Sequence, residues 1–336
     1  MRTVVFEAEP WEEGLFSGTC DGHEIQMTPN PLSSPVSQEH ARAEIISTFI
    51  YSDLSAHVLR DLPELKLIAT RSTGYDHIDL DYCAKYGVTV SNVPTYGDNT
   101  VAEHVFALLL AVARNIPEAV DRTRKGDFSM MGLRGSDLRG KTLAVIGTGS
   151  IGRRVIEIAR GFGMEVLAFD LQPDQDFARS LGFSYVSMEK LLPAADAVTL
   201  HVPANEHTKG LISDGEFGKM KDGVIILNTA RGSIIDTQAL LRALAAGKVA
   251  GAGLDVLDEE PVIREEAELL SAIFRKEHRM ETLLADHVLM HMRNVVVTPH
   301  IAFDTDEAVR RIIETTVDNI DSFCRGEPRN VVGKGR

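Results

Sequence analysis

Apolar residues fall in short runs along this chain, and stretches with helical spacing separate them. In the first hundred residues the runs are Thr3–Glu7, Glu24–Met27, Glu44–Ile50, Lys66–Thr70 and Val88–Ser91. Between them Val36–Arg42, Ala56–Leu62 and Leu80–Tyr86 place apolar residues at three- and four-residue steps, as helices do. Six further runs follow: Thr142–Ile146, Glu165–Phe169, Ala197–Val202, Val224–Asn228, Gly251–Val256 and Val295–Thr298. Helical segments separate these too, including Ser187–Leu192, Thr237–Ala246 and an acidic stretch from Arg264 to Met292. Such alternation predicts an α/β protein with parallel, doubly wound sheets, the second of them a six-stranded Rossmann domain.

Two helices stand apart from the alternation. Thr100-Val101-Ala102-Glu103 has the form of a capping box, and one long helix is expected from there to about Arg124, bent at Pro117. Its middle, Val105–Val112, is apolar on every face, which suits burial between domains or subunits. Lys125–Gly140 reads as a linker. Near the end, Thr305–Cys324 carries Val309, Ile312, Ile313, Thr316, Val317 and Ile320 on one face. A helix there can cross back to the first unit and make that unit discontinuous.

The sharpest chemical signal is Gly147-Thr148-Gly149-Ser150-Ile151-Gly152, between an apolar run and a helical segment. In Gly-x-Gly-x-x-Gly the first glycine turns the chain tightly, and the second lets the backbone approach a pyrophosphate. The third lets the helix pack close to the sheet, with its free N–H groups aimed at the phosphates. Asp170 ends the next apolar run, 18 residues past Gly152, where a carboxylate can accept from an adenosine ribose. A carboxylate there favours NAD over NADP, although Arg153 and Arg154 close by leave NADP open.

Composition narrows the possibilities. The 336 residues are 25% charged and 44% apolar, ordinary for a globular chain of two domains. A net charge of −14 argues against nucleic acid or an anionic membrane as partner. Cys20, Cys83 and Cys324 are odd in number and widely spaced, so a reducing, cytoplasmic setting is expected. The start, Met1-Arg2-Thr3-Val4-Val5-Phe6-Glu7, reads as a first strand, and the longest apolar run, Val105–Ala113, is too short to span a bilayer. His287 and His291, four residues apart, read as solvent-facing histidines, because no third ligand completes a metal site.

Three residues follow late strands: Arg231 in Asn228-Thr229-Ala230-Arg231-Gly232, Glu260 before Pro261, and His300 in Thr298-Pro299-His300. A guanidinium, a carboxylate and an imidazole on one sheet edge suit hydride transfer to or from a 2-oxo or 2-hydroxy acid. The arginine fork holds the carboxylate and polarises the reacting oxygen, and the histidine moves the hydroxyl proton. The glutamate orients the ring and favours its protonated form.

The chain resembles the D-isomer-specific 2-hydroxyacid dehydrogenase family, most closely its D-lactate dehydrogenase branch. The likeness rests on Arg71-Ser72-Thr73-Gly74-Tyr75-Asp76-His77-Ile78-Asp79, Asn92-Val93-Pro94-Thr95-Tyr96, Ala102-Glu103-His104, the glycine loop, Leu200-His201-Val202-Pro203, the Arg231 segment and Thr298-Pro299-His300. It implies two Rossmann- or flavodoxin-like domains with a cleft between them. Residues 1–99 with 305–336 would form the substrate domain, and 100–304 the NAD-binding domain, with dimerisation through the latter and its long helix. The resemblance implies catalysis by Arg231, Glu260 and His300, and substrate contacts from Tyr51, Thr73, Gly74, Tyr96 and Phe303. The expected NAD contacts are Gly147, Gly149, Ser150, Ile151, Gly152, Asp170, His201, Val202, Pro203, Thr229, Ala230 and Asp255. Asp304 stands where many members of that branch carry an aromatic. Asp258, Glu259 and Glu265 crowd Glu260, which is chosen because it directly precedes Pro261. Reduction of pyruvate to D-lactate is the expected activity. Glyoxylate or hydroxypyruvate reduction, phosphoglycerate dehydrogenase chemistry, reduction of branched or aromatic 2-oxo acids, and a non-catalytic NAD-sensing role like that of corepressors on this fold, remain as alternatives.

Overall fold

The computed structural model describes residues 1–16, 24–75, 77–258 and 280–333. Cys20, Asp76, Glu259, Glu260 and Glu265 lie outside the described residues. In chain order the elements begin β1 (Arg2–Val5), α1 (Glu13–Phe16), β2 (Glu24–Met27), β3 (Ile45–Thr48), α2 (Ala56–Leu59), β4 (Leu67–Thr70), α3 (Leu80–Tyr86) and β5 (Thr89–Ser91). Next come α4 (Asp98–Ala113), α5 (Ile116–Arg124), β6 (Thr142–Ile146), α6 (Ser150–Gly161), β7 (Glu165–Phe169), α7 (Gln175–Leu181), β8 (Ser184–Tyr185), α8 (Met188–Ala194) and β9 (Ala197–Leu200). The rest are α9 (Asp214–Lys219), β10 (Val224–Asn228), α10 (Thr237–Ala245), β11 (Val249–Leu254), α11 (Met280–His291), β12 (Val295–Val297) and α12 (Asp306–Cys324).

The chain divides into two compact units, one of Met1–Tyr96 with Asp304–Arg336 and one of Gly97–Phe303. The first holds a parallel sheet in the order β2-β1-β3-β4-β5, the flavodoxin-like order. Successive residues of its strands enter opposite cores, as the two-residue period requires. Val4, Ile46 and Ile68 pack with Val58, Leu59 and Cys83 on one face, and Val5, Ile45, Leu67 and Ala69 pack with Ile313 and Ile320 of α12 on the other. That is why these strands read as unbroken apolar runs: both faces are covered.

The second unit holds a seven-stranded parallel sheet in the order β12-β11-β10-β9-β6-β7-β8, the doubly wound Rossmann arrangement. Ala144 and Ile146 face one core, Leu143 and Val145 the other, where Val105, Leu108 and Leu109 of α4 cover them. β11 is glycine-rich for a packing reason. A Cβ at Gly253 would lie 2.8 Å from the Leu108 Cβ, and one at Gly251 would lie 2.7 Å from the Val112 side chain. α4 therefore lies directly on the β11 backbone.

Five expectations from the sequence need correcting. The single helix 100–124 is two helices. Asn115, at φ 52°, takes the left-handed conformation that asparagine tolerates and separates α4 from α5. Pro117 sits in the first turn of α5, where its missing N–H costs nothing, and so does not bend a continuous helix. No capping box forms at Thr100, because α4 starts at Asp98 and Glu103 accepts from the Asn99 side chain (2.8 Å). Val36–Arg42 is a hydrogen-bonded turn closed by His40 N–H and Ala41 N–H on the Ser37 carbonyl, and the Rossmann sheet carries the additional short strand β8.

Candidate active site

The glycine loop leaves β6 and opens α6. Gly147, at φ 93°, lies so close to the strand-end backbone after β9 that a Cβ there would be 2.4 Å from the His201 carbonyl oxygen. A Cβ on Gly152 would fall 2.1 Å from the Gly147 oxygen, so the third glycine is needed for the helix to meet the loop. Gly149 differs: a Cβ there would meet nothing within 4 Å, and Gly149 caps α6 without a side-chain acceptor. The open face and the first N–H groups of α6 fit a pyrophosphate. At the end of β10 the Thr229 hydroxyl is buried with no hydrogen-bond partner among the described residues, which leaves a polar group for a cofactor to satisfy.

Asp170, at the end of β7, is held in one orientation. One carboxylate oxygen accepts the Thr148 N–H (2.6 Å) and hydroxyl (2.8 Å), and the other accepts the Gln172 N–H (2.9 Å). Burial pushes its pKa up, but the hydrogen bonds from Gln172 and Thr148 outweigh it and hold the carboxyl below its ordinary 3.8. His201 hydrogen bonds to the Thr199 hydroxyl (2.9 Å), and burial drives its pKa down to about 3, so the ring is neutral near pH 7.

β10, β11 and β12 are neighbours in the sheet, so the residues after them share its carboxyl edge. Asn228, almost fully buried, shapes the turn that bears Arg231: its side chain accepts from Ala230 N–H (3.0 Å) and donates to the Arg231 carbonyl (2.8 Å). Gly232 then runs against the loop after β11, where a Cβ would sit 2.1 Å from the Leu257 carbonyl carbon. That loop leads toward Glu260, which is outside the described residues.

Asp255 organises the turn carrying His300. Its fully buried carboxylate accepts from the Thr298 hydroxyl (2.5 Å), Ile301 N–H (3.0 Å) and Ala302 N–H (2.9 Å), while its carbonyl accepts the His300 N–H (2.9 Å). Held this way, His300 adopts φ 55°, a left-handed conformation rare for a side-chain-bearing residue and typical of functional turns. Its ring is 6.4 Å from that of Phe303. His104 on α4, which reads from sequence as a satisfied core residue, supports the same turn, 3.0 Å from the Thr298 hydroxyl and 3.5 Å from Asp255.

In the first unit the loops after β3, β4 and β5 bear Tyr51, Thr73 with Gly74, and Tyr96. Ser72 donates to the Gly74 carbonyl (2.6 Å), Thr73 donates to the Val93 carbonyl (2.7 Å), and Asn92 donates to the Thr73 carbonyl (2.8 Å). Asn92 is clamped in turn: its carbonyl accepts from Asn319 (2.9 Å) of α12. Glu7, at φ 54°, holds the Tyr51 loop by accepting the Phe49 N–H (2.6 Å), Tyr51 N–H (2.7 Å) and Ser52 hydroxyl (2.8 Å). Arg71 is buried, paired with Glu12 (2.5 Å) and bonded to the Phe6 and Glu7 carbonyls (2.6 and 2.7 Å). Sequence reasoning did not find Glu7, Asn92, Thr148 or Tyr185. Glu7 acts through contacts with the loop of a neighbouring strand, Tyr185 through the Thr148 hydroxyl, Asn92 through the loop after β4 and α12, and Thr148 through Asp170 at the end of the adjacent strand.

Comparison with known proteins agrees with this geometry. Residues 106–302 match the family described as D-isomer specific 2-hydroxyacid dehydrogenase, NAD binding domain. The D-lactate dehydrogenase kk1H of Curvularia clavata is 35% identical over 348 residues, covering 100% of this chain and 96% of that protein. A glyoxylate reductase of Thermococcus litoralis is 36% identical over 324 residues, 93% of this chain and 91% of its own length. The D-lactate dehydrogenase of Aquifex aeolicus, solved with NAD and lactic acid, superposes with a TM-score of 0.88 at 35% identity, covering 99% of this chain and 100% of that one. The protein belongs to the D-isomer-specific 2-hydroxyacid dehydrogenases: it is an NAD-dependent oxidoreductase.

Proposed function

We propose that the protein is a D-lactate dehydrogenase that reduces pyruvate to D-lactate. NADH, when bound, supplies the hydride that the carbonyl carbon receives. Arg231 holds the substrate carboxylate and polarises the carbonyl, with the N–H groups of Thr73 and Gly74 also serving the carboxylate. His300 gives the carbonyl oxygen its proton, leaving a hydroxyl and a neutral ring, and Glu260 keeps that ring oriented. In the reverse direction the same imidazole takes the hydroxyl proton. Tyr51, Tyr96 and Phe303 would surround the substrate's carbon chain. Gly147, Gly149, Ser150, Ile151, Gly152, Asp170, His201, Val202, Pro203, Thr229, Ala230 and Asp255 would hold the cofactor.

The observation that carries a small, unphosphorylated acid is the burial of Arg71 against Glu12. Arg71, two residues before Thr73 in the chain, is already paired with Glu12, so its charge is not available to a substrate phosphate. Purified protein with NADH should show its highest kcat/KM with pyruvate among pyruvate, glyoxylate, hydroxypyruvate, phosphohydroxypyruvate and phenylpyruvate. A clear preference for any other member would replace pyruvate in this reading.

A homodimer in the cytoplasm completes the proposal. Ile116 and Val120 on α5, with Phe128, Met130 and Met131 beyond it, expose apolar side chains in the second unit, as a subunit interface would. Cys83 is a buried free thiol, which suits a reducing compartment.

A further inference from the structure

We propose that Asp174 and Tyr185 set the cofactor preference of this site, acting as specificity-determining positions through Arg153 and Asp170. Arg153 stands in the first turn of α6, just beyond the glycine loop. Its Nε donates to the Thr148 carbonyl (3.3 Å), and Thr148 N–H in turn binds Asp170 (2.6 Å). A guanidinium thus lies one residue from the carboxylate suited to the ribose hydroxyls. It is the cation a 2′-phosphate would recruit, since an arginine fork matches phosphate oxygens. Here it is directed elsewhere. Its Nη2 is bound to Asp174 (2.8 Å), and its guanidinium carbon lies 4.5 Å from the centre of the Phe177 ring. The neighbouring Arg154 is paired with Glu157 (2.7 Å) on the exposed side of α6.

The second arm fixes the acid. Tyr185 of β8 donates its hydroxyl to the Thr148 hydroxyl oxygen (2.9 Å), so the Thr148 proton is committed to Asp170 (2.8 Å). This one-way chain keeps the carboxylate in the orientation that accepts ribose hydroxyls and repels a phosphate. The two arms share one scaffold. Phe177 meets Phe183 edge-on at 5.5 Å, and Phe183 meets Tyr185 at 5.1 Å. The platform under Arg153 and the hydroxyl behind Asp170 are therefore ends of a single aromatic row.

The inference rests on the NAD site and not on which 2-oxo acid is reduced, because its readout is nucleotide binding. NADH and NADPH are titrated by nucleotide fluorescence against wild type, Asp174→Asn, Asp174→Asn with Arg153→Ala, and Tyr185→Phe. Asparagine caps a helix as well as aspartate, so α7 keeps its cap while the ion pair is lost. Release of Arg153 should lower the NADPH Kd about tenfold, the value of one added charge-assisted contact. The NADH Kd should stay within about twofold, and removing Arg153 should abolish the NADPH gain. Tyr185→Phe should narrow the NADH preference. An unchanged NADPH Kd in Asp174→Asn with NADH binding intact would overturn the Asp174 arm, as would a gain that survives loss of Arg153. An unchanged preference in Tyr185→Phe would overturn the other arm.

Discussion

His300 and Arg231, the residues proposed for catalysis, are both placed by backbone turns. Each follows a strand of the parallel sheet and each is set by a neighbour's hydrogen bonds: Asp255 for the imidazole turn, Asn228 for the guanidinium turn. If His300 moves the proton, His300→Ala should slow turnover by about 10²-fold or more while NADH still binds. Single-turnover kinetics beside a nucleotide titration would separate the two, and near-native turnover would remove His300 from the proposal. Arg231→Ala should raise KM for the 2-oxo acid and lower kcat together, because the fork is assigned to both binding and polarisation. His201 makes a different prediction, about stability. Its pKa falls from 6.5 to about 3 on folding, so between those values the unfolded chain binds a proton that the folded chain does not. The contribution is complete above pH 6.5 and is lost as pH falls toward 3. Thermal unfolding at pH 7.5 and 5.0 should show a larger loss of Tm for wild type than for His201→Gln. Equal losses would mean that the ring is not kept neutral by folding.

Elements differ in how plainly they are written in the chain. β6, β7, β9 and β10 are apolar runs of four or five residues between helical segments, so local pattern is enough to find them. The glycine loop and Asp170 are legible for the same reason, since every part lies within one strand–helix–strand unit. β8 is two residues long, too short for any period to register, although it carries the tyrosine behind Asp170. The break at Asn115 was hidden because Pro117 fits a bend or a helix start equally well. The role of Glu7 was hidden because it depends on β1 lying beside β3, more than 40 positions away in the chain. The glycines of β11 carry a packing prediction of their own. Gly253→Ala places a Cβ against Leu108 and Leu227, and neither the strand nor α4 can yield without moving backbone. A loss of about 1–3 kcal/mol is expected from such overpacking, read as a lower denaturant midpoint. An unchanged midpoint would mean that α4 is free to shift.

At the scale of the whole molecule, the first unit offers a flavodoxin-like sheet edge with loops held by Glu7, Arg71 and Asn92. The second offers a Rossmann edge whose glycine loop, Asp170, Arg231 and His300 follow from strand order. Among the described residues no helix is long and apolar enough to cross a membrane. If the exposed Phe128, Met130 and Met131 bury each other's apolar surface between copies, light scattering should give a dimer mass. Glutamate at all three positions should then give a monomer, whereas a dimer that survives would place the interface elsewhere. The proposal as a whole turns on one reaction and one configuration. Purified protein, pyruvate and NADH are incubated to completion, and the lactate is resolved by chiral chromatography. A D-lactate dehydrogenase should consume NADH in equal amount to the lactate formed, all of it the D isomer. L-lactate, or no NADH consumption by protein that binds NADH, would contradict the proposal.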